Sequence, residues 1–227
     1  MKKQSATTNG FQNRTVHNLI ILDESGSMEA IKRATITGFN EVVQTIKGVE
    51  KQFPEQEHFV SFVTFNGLGI KTKLFDKKVK NLKEIDEKTF NPDSLTPLYD
   101  AIGFSVNKLK KEIESQKDSA VLVTILTDGE ENNSKEYTGA SVKKLINEMK
   151  KEGWTFTYIG ANHDVERVAF SLSINNTLKF EANEADVKRA FDVDKKARHV
   201  HAYKLRRGAV AQENYFEDAD KDVDTKD

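Results

Sequence analysis

The run His17-Asn18-Leu19-Ile20-Ile21-Leu22 constrains this chain more than any other stretch, because it is short, apolar and ends abruptly in Asp23-Glu24-Ser25-Gly26-Ser27. No polar alternation marks one side of it as wet, so it predicts a strand covered on both faces. Such a strand needs helices above and below its sheet. The sequence supplies one at once, with Ile31, Thr35, Phe39, Val42 and Ile46 on a single stripe at three-to-four spacing.

The same alternation of short apolar runs and helical stripes continues along the chain, which is the pattern of βαβ units. Phe59 to Phe65 reads as the second strand, and Gly67 and Gly69 turn it tightly into a third at Ile70 to Phe75. So short a link joins neighbours as a hairpin, which makes one strand antiparallel. Pro97 stands at a helix start, followed by the stripe Leu98, Ile102, Val106, Leu109 and Ile113. Ala120 to Leu126 is the most strand-like run and ends in Thr127-Asp128-Gly129. A helix over 138–151, a strand from Trp154 to Ile159, a short helix near 164–172, an edge strand from Thr177 to Phe180 and a closing helix over 184–200 complete the reading. The expected fold is α/β and doubly wound, a mostly parallel sheet with one antiparallel edge strand and helices on both faces. Trp154 and the many phenylalanines are assigned to the core.

Composition sets outer limits. With 227 residues, 37% apolar and 31% charged, the chain has material for one medium domain with a charged surface. The net charge of −1 gives no reason to expect nucleic acid as a partner. There is no cysteine, which removes disulfides, thiol catalysis and zinc–thiolate sites. Lys2 and Lys3 are not followed by the apolar stretch of a signal peptide, and no run reaches the ~18 apolar residues of a membrane helix. No membrane partner is expected, and the expected compartment is the cytoplasm. Residues 1–14 read as a flexible N-terminus and 15–203 as the folded domain. Residues 204–227, acid-rich from Glu213 onward, read as a disordered acidic tail.

The chemistry collects at strand ends. In an open parallel sheet, the loops leaving the carboxyl ends of the strands converge on one edge, where ligands bind. Three of those loops carry oxygen donors: Asp23, Ser25 and Ser27 in the first, Thr96 before a helix in the second, Asp128 in the third. Carboxylates with neutral hydroxyls suit a hard cation, Mg²⁺, Mn²⁺ or Ca²⁺, and no histidine or cysteine stands nearby to favour zinc.

These residues also carry a resemblance. Asp23-Glu24-Ser25-Gly26-Ser27 after an apolar strand resembles the D-x-S-x-S motif of von Willebrand factor A domains, Thr96-Pro97-Leu98-Tyr99-Asp100 resembles that family's second metal loop, and Thr127-Asp128-Gly129-Glu130 its third. The resemblance covers roughly residues 15–200, with Leu95 standing where the family often has glycine. It implies a metal-ion-dependent adhesion site, with Ser25, Ser27 and Thr96 binding the ion directly and Asp23 and Asp128 directly or through water. Mg²⁺ seeks six oxygens, and a shell rich in neutral hydroxyls leaves its charge partly unquenched. The resulting expectation is a protein-binding adaptor, not an enzyme, that captures an Asp or Glu of an unidentified partner protein and takes no small-molecule substrate. The alternative is a metal-binding subunit of a larger enzyme assembly, chelatase-like or stress-response, with an ATPase partner.

Other readings fit less well. Ser, Thr and Asp favour helix starts, and capping explains any one of these loops as well as ligation does; three loops on one edge favour ligation. The Mg²⁺ phosphatases of the haloacid-dehalogenase type need a second Asp where Ser25 stands. The G-x-S-x-G elbow, the phosphate-binding loop and the G-x-G-x-x-G turn are all absent, and Asp128 to Asn133 lacks the glycine and the closing glutamate of a calcium loop. Gly160 to Asp164 reads as a connecting loop capped by Asn162 or Asp164, and His199 and His201 read as solvated.

Overall fold

Leu19, Ile20, Ile21 and Leu22 are all 0% exposed, so the first apolar run is indeed sealed on both faces. It belongs to β1, Arg14–Asp23, the centre of the molecule. The computed structural model describes residues 14–116, 118–161, 164–181, 183–209 and 213–220. After β1 come α1 (Lys32–Gln52), β2 (Gln56–Asn66), β3 (Gly69–Lys78), α2 (Leu98–Ile113), β4 (Ser119–Thr127), α3 (Gly139–Lys151), β5 (Trp154–Ala161), α4 (Val165–Ser171), β6 (Asn176–Phe180) and α5 (Glu184–Arg206). Short 3₁₀ turns lie at Gly26–Ile31, Val79–Asn81 and Glu217–Asp220.

The six strands lie in the order β3-β2-β1-β4-β5-β6. All neighbours are parallel except β2 and β3, which pair antiparallel across the hairpin. The order reverses direction beside β1, the switch point at which doubly wound sheets hold their ligands. Alternation along each strand splits the core in two. Leu19 and Ile21 of β1 face α2, α3 and α4, packing with Ile102, Val106, Ile146 and Val168. Ile20 and Leu22 face α1 and α5, packing with Phe39, Val42, Ala190 and Phe191. The two helices on that second face approach closely at Gly38, where an added β-carbon would stand 2.0 Å from Cε2 of Phe191.

Register fixes where the loops emerge. Leu22 is level with Leu126 and Asp23 with Phe65, so β1, β2 and β4 end together. Three of their loops therefore leave from one rim.

Four expectations need correction or limits. Residues 1–13 of the expected flexible N-terminus, and 210–212 and 221–227 of the expected tail, lie outside the described residues. Where the tail is described, the domain runs further than 203. α5 continues to Arg206, and Tyr215 and Phe216 are buried among the α1–α5 core residues, with Tyr215 N donating to Asn176 Oδ1 at 2.9 Å. Two aromatics inside an acidic stretch are enough to anchor it, because each buries a large apolar area. His201 is buried against the Tyr215 ring, not solvated. Finally, Phe104 and Phe170 are exposed, at 40% and 72%, instead of lying in the core. No helix among the described residues is long and apolar enough to cross a membrane.

Candidate functional site

Asp23 is the last residue of β1 and is 0% exposed. Its Oδ1 accepts from Ser25 N at 2.7 Å and its Oδ2 from Thr127 Oγ1 at 2.6 Å. The first bond curls the chain into the 3₁₀ turn; the second ties the tips of β1 and β4 together. Burial pushes the Asp23 carboxyl up to about 6, against the bonds from Thr127 and Ser25, and the charge of Asp128 pushes the same way. Among the described residues no lysine, arginine or histidine forms an ion pair with Asp23. A buried carboxylate without a cation is costly, and the cost is met here only by neutral donors.

The other four sequence-derived residues lie around it. Ser25 Oγ is 3.2 Å from Ser27 Oγ, and Ser27 Oγ donates to Asp128 Oδ1 at 2.8 Å. Thr96 belongs to the same group: a β-carbon built on Gly129 would stand 3.5 Å from both Ser27 Oγ and Thr96 Oγ1. Asp23, Ser25, Thr96 and Asp128 are buried, whereas Ser27 is exposed, so the cluster opens to solvent on the Ser27 side. The capping alternative does not describe these hydroxyls. Ser25 precedes the 3₁₀ turn without a side-chain cap bond, and the residue preceding α2 is Pro97, not Thr96. Asp164, by contrast, does cap α4, accepting from Arg167 N at 3.1 Å. Asn162 lies outside the described residues.

A second set of residues, which sequence reasoning missed, holds the loops in place. Thr127 Oγ1, besides its bond to Asp23, accepts from Gly129 N at 3.1 Å. Asn132 clasps the second loop: Thr96 N donates to Asn132 Oδ1 at 2.8 Å, and Asn132 N to Thr96 O at 3.1 Å. Glu131 accepts from Tyr99 N at 2.9 Å and from Asn133 N at 2.7 Å. Asp100 accepts from Lys135 N and Tyr137 N at 2.8 and 2.7 Å. The carboxylates of Glu131 and Asp100 thus bind free amides at the start of α2 and in the loop after β4. Gly26 N donates to Ser94 O at 2.9 Å, joining the first loop to the second. The signal in the sequence was the unusual polar density of Glu130 to Ser134 between β4 and α3.

Two carboxylates and three hydroxyls, all oxygen, form a donor set for a hard cation. Among the described residues no group of three or more His, Cys, Asp or Glu side chains is placed so that it could hold a metal ion.

The family sequence model for the von Willebrand factor type A domain matches residues 19–197. The chain belongs to this family. No curated protein matches the chain. Among solved structures, a von Willebrand factor type A protein from Catenulispora acidiphila is 15% identical, with 82% of this chain and 43% of that one covered at a TM-score of 0.52. The pilus adhesin SpaC from Lactobacillus rhamnosus GG, in an open conformation, is 14% identical, with 87% and 31% covered and a TM-score of 0.57. Proximal thread matrix protein 1 of the mussel byssus is 12% identical, with 80% and 46% covered and a TM-score of 0.52. This chain therefore spans less than half the length of these structures, and at such identities the likeness is one of fold.

Proposed function

We propose that the domain is a non-enzymatic protein-binding module that holds a divalent cation, Mg²⁺ before Mn²⁺ or Ca²⁺, at a metal-ion-dependent adhesion site, and binds a partner through that ion. The observation that carries this reading is Asp23: a fully buried carboxylate, near a second one, supplied with hydroxyls and amides but with no cationic side chain among the described residues. Ser25, Ser27, Thr96, Asp23 and Asp128 would hold the cation, directly or through water. When bound it supplies a positive charge whose shell is rich in neutral hydroxyls and so only partly neutralised. The exposed position of Ser27 gives an acidic side chain of another protein its way in. The cluster holds no cysteine, histidine or lysine, and its hydroxyls are engaged with one another and with Asp128, which supports binding over covalent chemistry.

Family membership supports the same class of function, since the domain commonly serves as an interaction module. The test is thermal unfolding with Mg²⁺ and with EDTA. Saturating Mg²⁺ at a hundredfold excess over its Kd stabilises the wild type by about 2.7 kcal/mol. Asp23→Ala should leave a folded protein whose melting temperature no longer responds. A response that survives the substitution removes the site.

A further inference from the structure

Among the described residues four large hydrophobic side chains are exposed: Leu68 at 71%, Leu95 at 50%, Phe104 and Phe170. Two of the four stand on segments that touch each other beside the candidate site. Leu68 occupies the turn between β2 and β3, its N–H held by Asn66 Oδ1 at 3.0 Å. Leu95 directly precedes Thr96. The two segments are pressed together at Gly67, where a β-carbon would stand 2.8 Å from Leu95 N and 3.1 Å from Leu95 Cβ. The backbone is strained at this point too, because Ser94 has φ 67°, a left-handed conformation costly for any residue but glycine. Buried Thr96 and exposed Leu95 are therefore fixed as neighbours, one turned into the cluster and the other out to solvent. Leu95 is also the position at which this sequence departs from the pattern it resembles.

The opposite side of the cluster differs in chemistry. There Arg167 forms an ion pair with Glu130, and Asp164 lies 3.4 Å from Arg167 Nε, leaving a charged, self-paired rim. The leucine side carries one ion pair of its own, Lys71 with Glu24 at 3.8 Å, but among the described residues neither Leu68 nor Leu95 joins a hydrophobic cluster. Single exposed leucines are unremarkable, but a pair on two clamped loops at the mouth of a candidate ion site forms a directional surface.

We propose that the partner segment pairs its acidic residue with a bulky aliphatic or aromatic residue within two positions, and that Leu68 and Leu95 receive that apolar side chain while the cation receives the carboxylate. This rests on the cation-dependent capture proposed above. The spacing follows from chain geometry: Thr96 and Leu95 are about 3.8 Å apart at their α-carbons, and an extended peptide advances about 3.3 Å per residue. A side chain one or two residues from the captured acid thus meets the leucines without bending the segment.

The test uses the full chain, immobilised, and two libraries of short peptides with randomised flanks, one centred on glutamate and one on glutamine. In Mg²⁺ the glutamate library should be retained and then released by EDTA, and the retained sequences should be enriched in Leu, Ile or Phe within two positions of the glutamate. The double variant Leu68→Ser, Leu95→Ser should bind the best of these peptides about tenfold more weakly, the value expected for losing part of a buried aliphatic contact, with its Mg²⁺-induced melting shift unchanged. EDTA-sensitive retention of glutamate peptides with no apolar preference overturns the leucine surface and leaves the ion site standing. Absence of any EDTA-sensitive preference for glutamate overturns both.

Discussion

Two carboxylates, Asp23 and Asp194, are buried to the same degree, at 0% and 1% exposure, yet their surroundings differ in kind. Asp194, on α5, has its own cation: Arg198 Nε lies 2.7 Å from Asp194 Oδ2, and the guanidinium also donates to Thr124 Oγ1 at 2.8 Å. His58 and His201 join Arg198, Asn18 and Gln56 around a small cavity beneath α5, and burial first, then the neighbouring His201 and Arg198, pulls His58 down to about 4. That cluster supplies its own counter-charge. Asp23 receives only neutral donors, at a rim that opens outward through Ser27. The chain thus solves the problem of a buried negative charge internally in one place and leaves it open in the other.

The comparison is broken most directly by Arg198→Ala. Removing one partner of a buried pair leaves an uncompensated charge and should cost about 3–5 kcal/mol in chemical denaturation. A loss below 1 kcal/mol means that Asp194 does not depend on its arginine. Next in size is a pH effect at Asp23. Its carboxyl is raised from 3.8 to about 6 in the folded protein, so it favours folding below about pH 4, and this contribution is lost as pH rises through 6. The difference in unfolding free energy between the metal-free wild type and Asp23→Ala should therefore shift against the wild type by roughly 2.5 kcal/mol from pH 4 to 7.5. Saturating Mg²⁺ should reverse the sign by holding the charged form. A difference that is flat with pH, with and without Mg²⁺, rejects the uncompensated carboxylate.

A third experiment sharpens the contrast by making one change twice. Asp23→Asn removes a buried charge and one hydrogen-bond acceptor, opposing terms that leave metal-free stability within about 1 kcal/mol of wild type. Asp194→Asn strips Arg198 of its counter-charge and should be clearly destabilising. Equal losses at the two positions, measured by urea unfolding, erase the distinction. The smallest effect belongs to Ser27→Ala. The exposed hydroxyl should matter little to the metal-free fold, within about 0.5 kcal/mol, while the Mg²⁺-induced melting shift falls. An unchanged shift removes Ser27 from the donor set.

Much of this architecture was legible because it is periodic. Leu19 to Leu22, the stripe from Ile31 to Ile46 and the stripe from Leu98 to Ile113 state their partners through spacing alone, and the hairpin is announced by Gly67 and Gly69. That Asp23, Ser25, Ser27, Thr96 and Asp128 lie together was legible because each stands at or after a strand end or just before a helix. What escaped was aperiodic. The clasp of Asn132 on Thr96 and the bonds from Glu131 and Asp100 join residues more than 30 positions apart, and no local pattern encodes them. Tyr215 and Phe216 were hidden by their acidic neighbours, because composition averages over a window whereas burial is decided residue by residue. His201 looked solvated for a similar reason. Its burial depends on Tyr215 lying against it, a contact made only after the chain turns back past α5.

The antiparallel strand β3 has one further consequence. It forms one border of the sheet, it is largely exposed, and it carries Lys71, Lys73, Lys77 and Lys78, with Lys78 paired to Glu57 on β2. Two register shifts also interrupt its pairing with β2 near Phe62. A second molecule trying to dock a strand here would bring ammonium groups against ammonium groups along an irregular border. This border of the sheet is thus a poor template for pairing with a second copy of itself.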